Sequence, residues 1–189
     1  MNETRLQEWI DELHETSSQQ WGLRLVALMT SLGAMASVAA ELGRSWPFGL
    51  LVVVVLAVAS AIRPDNHTAA ALICVIAWHW LATVDRIDTV WLPATTCCLL
   101  VYHSVIALTA SFPVGGVVPV STLLIWLRRT GLGACMTLFM WGLVVLLERR
   151  EAAGSGVLTA LALALAAAGA VLVRARSVDQ IVATSPTDD

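Results

Sequence analysis

Residues 50–59 and 158–173 carry no charge at all, and similar apolar runs recur along the whole chain, broken by arginine, tryptophan and proline. Runs of this kind restrict the fold more than any motif does. A folded water-soluble chain of 189 residues has too little polar sequence here to cover so much apolar surface. The mean hydropathy of +0.77 points the same way. The expected class is therefore an all-α integral membrane helical bundle with about six transmembrane helices.

A hydrocarbon core of ~30 Å takes about 20 apolar helical residues, with roughly 17 as the lower limit. Six segments approach that length: 23–42, 47–62, 68–84, 90–112, 131–147 and 156–173. The breaks between the first five are polar or helix-breaking, and Pro64 and Pro113 each bias the preceding residue out of helix. Trp21, Trp46, Trp80, Trp91 and Trp126 fall at span ends, where amphipathic rings settle. Residues 117–130 are apolar until Arg128-Arg129 and read as an interfacial helix leading into the fifth span, with a re-entrant segment as the alternative.

Every base is arginine, so orientation follows from those eleven positions. With six spans and the N-terminus inside, Arg5, Arg24, Arg63, Arg128, Arg129, Arg174 and Arg176 are cytoplasmic. Arg44, Arg86, Arg149 and Arg150 are then external. Seven against four favours both termini in the cytoplasm of a bacterial plasma membrane.

The first 21 residues form a separate unit ahead of a membrane domain at 22–176 and a polar tail at 177–189. They lack the basic and apolar regions of a cleavable signal peptide. Leu6, Trp9, Ile10 and Leu13 instead follow the i, i+3, i+4, i+7 pattern of an amphipathic helix, and Thr4 with Gln7 has capping-box spacing. Glu3, Glu8, Asp11, Glu12 and Glu15 make that helix acidic, which anionic lipid repels, so its apolar face is expected to dock on a protein partner.

Ionisable groups at membrane depth are costly and mark candidate sites. His79 and His103 qualify, one on each arm of the hairpin between the third and fourth spans. Depth argues against haem ligation by the pair: with a hairpin turning between residues 84 and 89, equal-depth residues sum to about 173 and the two imidazoles differ by ~14 Å along the axis. His79 is expected to bond to Thr95 or Thr96 across the hairpin. His103, on a stripe with Thr96, Leu100 and Ala107, is expected to face the bundle. At the external rim, Asp85, Arg86 and Asp88 solvate a tight turn, and Glu41 pairs with Arg44 at i, i+3. Small residues at helical spacing, Gly33 with Ser37 and then Ala160, Ala164 and Ala168, offer close-packing faces.

Cys74, Cys97, Cys98 and Cys135 all lie inside apolar runs and read as buried free thiols. No metal and no cofactor is expected, since neither a zinc spacing, a phosphate loop nor a dinucleotide fingerprint occurs. No basic patch fits nucleic acid. In its layout, and in residues 81–93 and 126–130, the chain resembles small polytopic membrane proteins of actinobacteria, some of which accompany MoxR-type AAA ATPases. That resemblance carries over no functional residue.

These features lead to the expectation of a non-enzymatic accessory or scaffold subunit in contact with membrane lipid and a protein partner. A small transporter or proton-coupled channel using His79, His103, Thr83, Thr95 and Thr96 is the second reading. A rim enzyme built on Asp85, Asp88 and Glu41 is a third, lacking any nucleophile or phosphate cradle.

Overall fold

A computed structural model describes residues 17–148 apart from 45, 65, 66, 87 and 114. The amphipathic segment with Leu6, Trp9, Ile10 and Leu13, the sixth apolar run and the C-terminal tail lie outside the described residues. Contacts divide the chain into Met1–Gly142 and Leu143–Asp189, and the packing below concerns the first unit.

The described residues are all-helical: α1 (Ser18–Leu42), α2 (Pro47–Ile62), α3 (Thr68–Thr83), α4 (Trp91–Ala110) and α5 (Val120–Glu148). Three of them, Ser18–Leu42, Trp91–Ala110 and Val120–Leu146, are long and apolar enough to cross a membrane. The 16 residues of α2 and of α3 rise only ~24 Å each.

Local chemistry sets the ends. Extended Ser17 caps α1 by accepting the Gln20 N–H, so the helix begins five residues before its apolar run, and Gly43 at φ 61° closes it in the left-handed region. Pro47 opens α2, where its missing N–H costs no hydrogen bond, and holds Trp46 extended before it. Pro93 is tolerated in the first turn of α4 for the same reason.

Helix α1 is central, packing along α4 and against α2, and α2 packs against α3. Small residues, Ala27, Ser31, Ala34 and Ser37, alternate on the inward face of α1 with larger ones, Leu23, Met35 and Val38. Gly33 lies on the same contact, where an added Cβ would sit 3.4 Å from the Cys98 sulfur of α4. The small positions let backbones approach closely, and the contact is filled from the other side by Tyr102, Val105 and Ile106.

Both ends of the α1–α4 pair are tied. At the start of α1, the Gln19 carboxamide donates to the Val118 carbonyl (3.2 Å) and accepts its N–H (2.9 Å), while Ser17 donates to the Gly116 carbonyl (3.3 Å). At the far end the Thr89 hydroxyl donates to the Glu41 carboxylate. The two helices are therefore antiparallel, with the start of α1 beside the loop that follows α4.

Two expectations are corrected here. Arms α3 and α4 of the expected hairpin meet little, because α4 is taken by the small-residue face of α1. Residues 120–148 form one unbroken helix of 29 residues, so no interfacial piece ends at Thr130. The Trp126 indole donates to the Ser104 carbonyl (3.0 Å), and Gly133 meets Leu100, so α5 runs antiparallel to α4.

Candidate functional site

The group of residues with most chemical character lies where the end of α1 and the start of α2 meet the end of α3. Glycine builds it: an added Cβ at Gly49 would stand 1.7 Å from the Trp46 ring, so the indole can lie across α2 only because that side chain is missing. From there Trp46 stacks on His79, with ring centroids 4.5 Å apart and planes 32° from parallel. Phe48 stands 6.0 Å from the same indole. Together with Arg44, Val52 and Trp78 these residues line a cleft of about 970 Å³ whose wall is mostly apolar.

Arg44 is exposed, and among the described residues no carboxylate forms an ion pair with it. Its expected partner Glu41 instead accepts the Thr89 hydroxyl. The reason is geometric: Gly43 ends α1 with a left-handed residue and turns Arg44 out of the helical register an i, i+3 pair needs. His79 is half-buried; its Nε2 is covered and has no hydrogen-bond partner among the described residues.

The expected bond from His79 to Thr95 or Thr96 is absent. Thr95 and Thr96 donate to their own helix, to the carbonyls of Trp91 and Leu92 (2.9 Å each). His103 is exposed rather than turned into the bundle, because Tyr102, Val105, Ile106 and Thr109 take the inward side of α4. The two histidines are not brought together, and the cleft at His79 does not include His103.

At the rim, Arg86 forks onto Asp88, with Nε to Oδ1 at 3.1 Å and Nη2 to Oδ2 at 3.0 Å. This bond and the carboxylate charge push the guanidinium pKa further up. Asp85 is exposed beside them. The four cysteines are free, but none is buried: Cys74 and Cys135 are exposed, Cys97 and Cys98 half-buried. Cys98 packs in the α1–α4 contact opposite Gly33, whereas Cys74 and Cys135 face outward from their helices. Among the described residues no three His, Cys, Asp or Glu side chains cluster as a metal site would require.

Comparison with protein families, curated proteins and solved structures found no match. The chemistry must therefore be read from the residues themselves. Three features are not legible in the sequence: the Trp46–Gly49 seat, the bond between the Ser60 and Tyr102 hydroxyls (2.7 Å), and the carboxamide ties of Gln19 to Val118 and of Gln20 to the Pro113 carbonyl (3.5 Å). Only the first left a signal, a glycine three residues after a tryptophan in the first turn of a helix.

Proposed function

We propose that this chain is a multi-pass protein of the bacterial plasma membrane, with six spans and both termini cytoplasmic, acting as a non-enzymatic accessory or scaffold subunit. The observation that carries the reading is where the polar groups at membrane depth go. Ser31, Ser37, Thr83, Thr95, Thr96 and Thr109 all donate to carbonyls of their own helices. Ser60 and Tyr102 bond to each other across α2 and α4. Hydroxyls bonded to their own helices are satisfied without water, and the Ser60–Tyr102 bond ties α2 to α4, which is what a static bundle needs.

The partner surface in this proposal is the acidic amphipathic segment with Leu6, Trp9, Ile10 and Leu13. Its test is co-purification in mild detergent of the full chain and of a Leu6→Asp/Trp9→Asp variant. The expected result is a stoichiometric partner held by the first and lost by the second. A partner retained equally by both, or none with either, sinks the docking role.

The cleft against His79 favours a second reading, a small transporter or proton-coupled channel that also uses His103. That function requires both positions to be wet from alternating sides. Thiol labelling of His79→Cys and His103→Cys in a cysteine-free background separates the readings, since a transporter makes both positions reactive from alternating sides, whereas the scaffold leaves position 79 reactive at most from the side on which its cleft opens.

A further inference from the structure

We propose that the cleft between α2 and α3 binds a membrane phospholipid with an anionic headgroup, its phosphate against Arg44 and its chains along the apolar wall. Three observations converge on that class of ligand. The cleft is large enough, at about 970 Å³, for a headgroup and the upper part of a chain. No carboxylate lines it; of the acids near its rim, Glu41 is engaged by Thr89 and Asp88 by Arg86, and exposed Asp85 stands outside the lining. Arg44 is thus the charge that a ligand entering the cleft meets.

The polarity is arranged along one direction. Arg44 and Trp46 lie between α1 and α2 at the end of the bundle, whereas Val52 and Cys74 lie further along their helices, about one turn or more from it. A lipid has the same polarity, charged at one end and apolar over the rest. Exposed Trp78 and Phe48 belong to the lining, and aromatic rings of this kind suit the boundary between headgroup and chain. Free phosphate would satisfy Arg44 alone and leave the apolar wall unused.

The test uses the purified full chain, delipidated in detergent and re-exposed to equal amounts of phosphatidylglycerol and phosphatidylcholine, with bound lipid counted by native mass spectrometry. The expected result is selective retention of phosphatidylglycerol. Arg44→Gln lowers that retention about tenfold, the loss of one charge-assisted contact. Arg44→Lys restores part of it. Arg44 is exposed, so these changes leave the packing intact. Arg128→Gln, an exposed arginine outside the cleft, leaves retention unchanged. Equal retention of phosphatidylcholine overturns the proposal, as does an Arg128→Gln loss matching that of Arg44→Gln. Displacement of the lipid by millimolar inorganic phosphate overturns it in favour of a free anion.

Discussion

Ser60 has one hydroxyl proton and two neighbours within reach, the Ala57 carbonyl at 2.9 Å and the Tyr102 hydroxyl at 2.7 Å. A carbonyl only accepts, so Ser60 donates to Ala57 and Tyr102 donates to Ser60. The two deletions are therefore unequal. Ser60→Ala strands a buried tyrosine donor and is expected to cost about 1–3 kcal/mol. Tyr102→Phe leaves Ser60 bonded to Ala57 and is expected to cost about 0.6–1.7 kcal/mol. Their sum should exceed the double variant in detergent–denaturant unfolding, and a larger cost for Tyr102→Phe would reverse the assigned direction. Gly49→Ala belongs to the same scale. The rigid Trp46 ring must move, at about 1–3 kcal/mol. That loss should vanish in a Trp46→Ala background, and its persistence would show that Gly49 matters for another reason.

Among the helices, α1 and α5 show what apolar pattern can and cannot reveal. The run at 23–42 announced α1, and Gly33 with Ser37 marked its close-packing face. The buried length from Ala27 to Val38 appeared only once α4 was set against it. Ala34→Leu, at a position with no exposure, is expected to overpack that contact by about 1–3 kcal/mol. The same change at exposed Ala36 should be near neutral in the same unfolding assay. On α5, the Trp126–Ser104 and Gly133–Leu100 contacts set Arg128 and Arg129 level with residues about two turns, or ~12 Å, before the end of α4. Helical side chains lean toward the N-terminus, so both arginines can stretch back along α5 toward the headgroups. Single cysteines should therefore react with a charged thiol reagent more slowly at 128 than at 120, and equal rates would return residues 117–130 to the interface.

At the scale of the whole molecule, the ties at the two ends of α1 decide the arrangement. Gln19 with Val118 and Glu41 with Thr89 require α1 and α4 to be antiparallel, which an even number of intervening helices satisfies. Cysteine pairs at 19/118 and at 41/89 should each oxidise to an intramolecular disulfide in membranes, whereas a 19/89 pair should not. Bridging of 19/89 would overturn the alternation of α1 to α4. Reporter fusions after Ile87 and after Asp189 check the orientation; an external C-terminus would mean that the proposed six spans are miscounted.

What the sequence determined by itself is where each apolar helix runs and, for α2 and α3, where it stops, whereas the starts of α1 and α5 lie outside the expected runs. A charge at the centre of a bilayer costs about 2.5 kcal/mol or more, and proline or glycine ends helices through local backbone geometry, so these boundaries need no knowledge of neighbours. Residues 47–62 and 68–84 came within a residue of α2 and α3 for that reason. Which side of each helix turns inward is a different kind of question. In lipid the apolar effect does not distinguish one greasy face from another, and close packing decides instead. Only the assembled helices therefore set His103 outward and Tyr102 inward, turned Glu41 to Thr89, and laid Trp46 across Gly49 against His79. Shape made those choices, through the side chains that Gly49, Ala27 and Ala34 do not have.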